Sequence, residues 1–201
     1  MTTPGNPEPN VFPDPQGPGT PAAQVLMQEH ELILQALNAM EKQIAAVEAG
    51  VPPDRVFFES AVEFLRSFAD RCHHGKEEDI LFKTMVEELD YPRNAGPVAV
   101  LTSEHETGRE FIRRIAQASA ALGQDPEATR QVIENGRGYI QLLRLHIERE
   151  DHVVFPMVDQ FLDDADQARL AEKFRQHDRH EIDSGRLAVS LRLLDDLTRR
   201  A

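Results

Sequence analysis

Thiol is almost absent from this chain of 201 residues, in which Cys72 is the single cysteine. One cysteine forms no internal disulfide and builds no thiolate zinc or iron–sulfur site. Bases are scarce as well: 22 Lys and Arg stand against 35 Asp and Glu, for a formal net charge of −13. So acidic a surface repels phosphate backbones, which argues against nucleic acid as a partner. Long apolar runs are missing, and none approaches the roughly 20 residues that cross a bilayer, so no membrane partner is expected. The N-terminus has no basic segment followed by an apolar stretch, so no secretory signal is expected. No segment alternates apolar and polar residues, which argues against a sheet. These absences leave a helical protein expected in the reducing cytoplasm. What the chain does have is histidine, eight in all, and four of them recur in a pattern.

Residues 1–22 hold seven of the 13 prolines and three glycines, with almost no large apolar residue. Such a stretch buries too little surface to offset chain entropy, so it is expected to be a disordered tail. From Ala23 onward Ala, Leu, Glu, Gln and Arg dominate, and apolar residues recur at steps of three and four. A first helix is predicted from about Ala23 to Ala49, with Leu26, Ile33, Leu34, Leu37 and Ile44 on one face, stopping at Gly50 before Pro52-Pro53. A second runs from about Asp54 to Leu89, ended by Pro92, with Phe58, Ala61, Val62, Leu65, Phe68 and Ala69 inward. A third follows Gly96-Pro97 and ends at Gly123. Asp125-Pro126 caps and opens a fourth, which carries Ile140, Leu142, Leu143 and Val153 and which Pro156 should kink or weaken. Asp164 to Gln167 has the form of a capping box that opens a fifth segment. Residues 183–199 form a last amphipathic stretch with Leu187, Leu191, Leu194 and Leu197. Long helices joined by short loops imply antiparallel neighbours, and the fold class expected is an all-α, up-down-up-down four-helix bundle over residues 23–162. Residues 163–201 are read as a helical extension that contacts a protein partner or a second copy, or closes the pocket.

The chain repeats itself weakly. Glu29-His30-Glu31 in the first helix returns as Glu104-His105-Glu106 in the third, 75 residues on. His73-x-x-x-Glu77 in the second returns as His146-x-x-x-Glu150 in the fourth, 73 residues on. Residues i and i+4 share a helix face, so each imidazole–carboxylate pair can chelate one ion, or hold a metal pair through a bridging carboxylate. The same faces carry the apolar stripes: His30 lies with Leu26 and Ile33, His73 with Leu65 and Ala69, His105 with Leu101 and Ile112. His146 follows Tyr139 and Leu142, with Val153 and Met157 beyond. A lone His on an apolar face is more often a hydrogen-bonded core residue than a ligand. Six such groups in one bundle centre would be badly destabilising without a partner, and a metal resolves that.

His30, His73-x-x-x-Glu77, His105 and His146-x-x-x-Glu150 resemble the hemerythrin-like, cation-binding HHE domain. CHHGKEEDILF at 72–82 and HIEREDHVVFPM at 146–157 are the most specific stretches. The resemblance covers about residues 23–162. It implies a non-haem pair of iron ions, oxo- or hydroxo-bridged, with metal ligands His30, His73, Glu77, His105, His146 and Glu150, the two Glu bridging. Imidazole and carboxylate ligands suit iron, and manganese or zinc remain compatible with them. Oxygen carriers of the family place a second His four residues after the one in the third helix, where Arg109 stands here. They also place the carboxylate of the fourth helix five residues after its His, which would be Asp151; Glu150 fits the bacterial and regulatory members better. A site poorer in His argues against simple oxygen transport. Two six-coordinate metals need about twelve bonds, and these ligands with a bridging oxygen leave about two positions open. Ferritin-like Glu-x-x-His and metalloprotease His-Glu-x-x-His are not what recurs.

The function implied is binding, sensing or reaction with a small diatomic ligand or peroxide, catalase-like in its enzymatic form. The alternative is a metal-dependent regulatory or iron-sensing module without turnover. Neighbouring residues take simpler roles. His74 is read as an extra ligand, an outer group or a surface residue. Glu78, Asp79 and Asp151 are expected to face solvent, with Asp151 a substitute ligand at most. Tyr139 is expected as core packing or pocket lining, Cys72 as a small buried filler. His177 and His180 are expected on a solvated helix face.

Overall fold

The computed structural model describes residues 21–201, which form six helices and no strand. The tail expected at 1–22 lies outside the described residues except for Pro21 and Ala22, and Ala22 is already helical and buried. Helix α1 spans Ala22–Glu48 and ends at Gly50, whose φ of 95° suits a residue without a side chain. Its inward face is Leu26, His30, Ile33, Leu37, Met40 and Ile44, while Leu34 is only half-buried. Helix α2 runs over residues 55–87. The Asp54 side chain caps it by accepting from the Phe57 amide at 3.2 Å. All of Phe58, Ala61, Val62, Leu65, Phe68 and Ala69 are buried, as their spacing predicts.

Helix α3 spans Gly96–Ala120, with Pro97 in its first turn. Helix α4 runs over residues 126–159 and is capped by Asp125, which accepts from the Glu127 amide at 2.9 Å. Helix α5 spans Asp164–Asp183. Its cap is Asp163, which accepts from the amides of Ala165 and Asp166, so the expected capping box is displaced by one residue. Gln167 instead donates to Asp159 and accepts from the Ala22 amide, tying α5 to the start of α1. Helix α6 spans Arg186–Arg200 and buries Leu194 and Leu197 in the bundle core.

Two helices depart from α geometry where the repeat motif lies. In α2 the turns Leu65–His74 and Glu77–Leu81 are π-helical, and in α4 so is Glu150–Val154. A π turn bonds i to i+5 and is wider, so consecutive residues rotate less around the axis. Cys72, His73 and His74 are consequently all buried. In α4 the extra residue shifts the phase before Pro156: Val154 is 1% exposed and Val153 57% exposed. That corrects the expectation of Val153 on the inward stripe. The bundle core falls into two apolar clusters, one around Ile33, Phe68, Ile115 and Leu143, the other around Leu26, Phe82, Leu101 and Phe155. The histidine layer lies between them. No helix among the described residues is long and apolar enough to cross a membrane.

Candidate metal centre

Along every bundle helix the polar layer interrupts an apolar stripe at the same height. His30 lies between Leu26 and Ile33 on α1; His73, His74 and Glu77 lie between Ala69 and Leu81 on α2. His105 lies between Leu101 and Ile112 on α3, and His146 and Glu150 lie between Leu143 and Val154 on α4. His30, His73, His105 and His146 are each 1% exposed, His74 is 5%, and Glu77 and Glu150 are 0%.

These side chains form two groups that share one carboxylate. His30, His73, Glu77 and Glu150 make one, and His74, Glu77, His105 and His146 the other, with ligand atoms within 4.8 Å of one another in each. Glu77 faces both: Oε1 is 3.4 Å from His73 Nε2 and Oε2 is 3.4 Å from His105 Nε2. Glu150 Oε2 is 3.3 Å from His30 Nε2 and 3.2 Å from His146 Nε2. The six residues predicted from the repeat are thus brought together, and His74 is added to them. In an α-helix His74 would point about 100° away from His73, and the π turn is what brings it in.

The opposite side of each imidazole meets a carboxylate. Nδ1 lies 2.7 Å from Asp151 in His30, 3.0 Å from Glu29 in His73, 3.4 Å from Asp70 in His74, 2.7 Å from Glu78 in His105 and 2.9 Å from Glu104 in His146. An ionised carboxylate only accepts, so each Nδ1–H donates outward, and in a neutral ring the Nε2 lone pair then points into the centre. Arg109 joins two of these carboxylates, lying 2.8 Å from both Asp70 and Glu78. The residue that stands in place of a second His therefore braces His74 and His105 from outside.

Inside, the polar atoms lack partners. Both oxygens of Glu77, both of Glu150, His30 Nε2 and His74 Nε2 are buried without a hydrogen bond. His105 Nε2 and His146 Nε2 stand 3.1 Å apart. Two imidazole lone pairs at that distance repel unless a proton or a cation lies between them. Unsatisfied buried carboxylates are costly, and inward-pointing imidazole and carboxylate donors are what a cation of the iron, manganese or zinc type binds. The residues fit a resident metal. Without metal, burial opposes charging His30, but the hydrogen bond to Asp151 and the negative charge of Glu150 beside it outweigh it and raise its pKa to about 10. Burial likewise opposes charging His105, and Glu77 and Glu78 raise it to about 9. His73, whose environment is dominated by burial, falls to about 3.

A cavity of about 90 Å³ abuts the second group, between His74, His105 and His146 and the apolar side chains of Leu65, Ile112 and Leu142. Tyr139 lines it, and burial pushes the pKa of its hydroxyl up. His30 and His73 do not reach this cavity.

Several neighbours differ from expectation. Glu78 and Asp151, expected in solvent, are the outer partners of His105 and His30. Asp79 is exposed, as expected. His177, expected on a solvated face, packs its ring against Gly75, where a Cβ would lie 3.0 Å from Cε1. His180 is exposed. An i, i+4 signal in the sequence could have found one outer partner, because Asp70 precedes His74 by four; Glu29 and Glu104 directly precede His30 and His105 but serve His73 and His146 on neighbouring helices.

A family model described as Hemerythrin HHE cation binding domain matches residues 22–158. An uncharacterized protein of Mycobacterium tuberculosis (strain ATCC 25618 / H37Rv) is 26% identical over 180 residues, 87% of this chain and 68% of the relative. The iron-sulfur cluster repair protein YtfE of Cronobacter sakazakii is 34% identical over 130 residues, 63% of this chain and 55% of that protein. YtfE of Salmonella newport is 33% identical over 130 residues, 63% of this chain and 56% of the relative. The chain thus spans little more than half the length of the YtfE proteins. No solved structure matches it significantly. Matched across all four helices that supply the buried imidazoles and carboxylates, this chain belongs to the hemerythrin HHE cation-binding domain family.

Proposed function

We propose that the chain holds two non-haem iron ions and there binds, senses or reacts with dioxygen, peroxide or nitric oxide. His30, His73, Glu77 and Glu150 would hold one ion, and His74, Glu77, His105 and His146 the other. The observation that carries this reading is the pair of buried ligand groups sharing Glu77, with Glu150 between His30 and His146 in the same manner. When bound, iron supplies one-electron chemistry and coordination positions for a small molecule. Two six-coordinate ions need about twelve bonds, and His74 leaves one fewer position free than the sequence alone implies.

The chain's own residues set the access. A water needs about 10–15 Å³ of cavity, so about 90 Å³ beside His74, His105 and His146 admits a diatomic molecule or peroxide. Leu65, Ile112 and Leu142 make part of its wall apolar, Arg66, Asp70, Glu104 and Arg109 line it as well, and Tyr139 retains its hydroxyl proton as a donor. Iron analysis of anaerobically purified protein, with absorption spectra before and after oxygen or peroxide, tests the reading. An iron pair per chain and new visible bands on oxidation are expected. Colourless protein that takes up no iron overturns it.

The relatives named for iron–sulfur cluster repair favour a second reading, a module that senses or supplies iron without turnover. Cys72 is buried and its thiol pKa is pushed up by burial, so this chain would give iron rather than hold a cluster. Ferrous transfer to an apo iron–sulfur protein, with no peroxide turnover, is the outcome that selects it.

A further inference from the structure

One outer carboxylate differs from the rest. Asp70, Glu78, Glu104 and Asp151 are partly exposed, whereas Glu29 is 1% exposed. A carboxylate buried that far needs a partner, and its partner is Lys76, which is 0% exposed. Lys76 Nζ contacts Glu29 Oε1 and donates to Asp178 Oδ1 at 2.6 Å. Asp178 is 5% exposed and belongs to α5, beyond residues 22–158 that match the family. A line of contacts therefore runs from the centre to the extension. His73 Nε2 faces Glu77, His73 Nδ1–H donates to Glu29, Glu29 accepts from Lys76, and Lys76 also donates to Asp178. Glu29, Cys72 and Asp178 have the spacing of a ligand group of their own, but the Lys76 ammonium already stands among them as the cation. Ion clusters buried this way add little stability over apolar packing, so stability alone does not account for this one.

We propose that Asp178 is a positioning residue for the metal centre, acting through Lys76 and Glu29 on His73. This inference rests on the metal reading above. A carboxylate that accepts from Nδ1–H makes Nε2 a stronger donor to metal. Lys76 draws on the charge of Glu29 and weakens that effect. Asp178 shares the ammonium and leaves more of the Glu29 charge for His73. Glu29 and Asp178 at −1 each and Lys76 at +1 give the cluster −1, and Asp178→Asn brings it to zero.

The test compares Asp178→Asn, Glu29→Gln and a packing control, Phe174→Ala, in the full chain. Phe174 anchors α5 in the second apolar cluster and carries no charge. Glu29→Gln is expected to weaken ferrous binding by about 10–100-fold, and Asp178→Asn by about tenfold, both with a raised midpoint potential. Phe174→Ala is expected to lower the melting temperature and leave affinity and potential unchanged. Wild-type values in Asp178→Asn, or an equal shift in Phe174→Ala, overturn the proposal. A readout free of metal accompanies these: ¹⁵N NMR of the metal-stripped protein. His73 is expected as the Nδ1–H form, with its proton resonance moving upfield in Asp178→Asn as the bond to Glu29 weakens. An Nε2–H form, or an unmoved resonance, overturns the relay. Wild-type protein that takes up no iron instead sinks the metal reading, and the NMR arm then decides the relay by itself.

Discussion

Each imidazole of the centre meets a carboxylate outside at Nδ1, and His30, His73, His105 and His146 meet a second one inside near Nε2. The outer one fixes the ring and the tautomer, so its loss is felt at the metal. Glu78→Gln replaces the charged acceptor of His105 and Arg109 with a neutral amide oxygen; iron affinity is expected to fall about 10–100-fold in chelator competition, and an unchanged affinity would falsify the role given to Glu78. A pH dependence follows from the carboxylates on both sides of these rings. In metal-stripped protein His30 and His105 are raised from 6.5 to about 10 and about 9. Their contribution to stability is fully present below about pH 6.5 and is lost as pH rises through those values. Metal needs neutral imidazole, so its binding strengthens over the same window. The gap in melting temperature between iron-loaded and stripped protein is therefore expected to widen from pH 6.5 to 9; a gap independent of pH contradicts the assignment. The inward set His30, His73, Glu77, His105, His146 and Glu150 was legible in the sequence because i, i+4 spacing and the apolar stripes both point one way. The outer set was less so, because Glu78 and Asp151 follow the motif in a run of charges that reads equally as a wet surface.

At the scale of the element, the helices were legible and their internal geometry was not. Apolar spacing, Asp54, Asp125-Pro126 and Gly50 mark the starts and stops by local chemistry. A π turn has no such local mark, since packing decides whether one residue is inserted. Its consequence is a sharp contrast between neighbours on α4. Val153→Asp is expected to change stability by about 0.5 kcal/mol or less, as at an exposed site. Val154→Asp, with an uncompensated charge in the core, is expected to cost about 3–5 kcal/mol. Urea unfolding reads both, and the reverse order would restore an uninterrupted α-helix through residues 150–154.

At the scale of the whole molecule, bundle and extension share one core, with the candidate metal centre inside it. Without metal, Glu77 and Glu150 are buried with no hydrogen bond, so on the metal reading chelation is expected to lower the melting temperature. Ligand at a hundred times its dissociation constant is worth about 2.7 kcal/mol, and coincident melts with and without chelator would exclude a bound metal. The extension belongs to the same core. Leu197 is 0% exposed and shares the cluster of Ile33 and Phe68, so Leu197→Ala is expected to cost about 2–5 kcal/mol in denaturant unfolding. A cost near zero would mean that α6 is not docked in solution.

From the sequence alone came an all-helical bundle, a twofold motif and six inward donors, because helix periodicity is local and i, i+4 geometry is rigid. Tertiary structure decided what depends on neighbours distant in the chain. It turned His74 into the centre, moved Val153 out and Val154 in, and gave each imidazole its outer carboxylate. It also brought Asp178 of the last third of the chain to Lys76 and Glu29. Those outcomes follow from packing and charge pairing across helices, where burial makes each unpaired polar group costly.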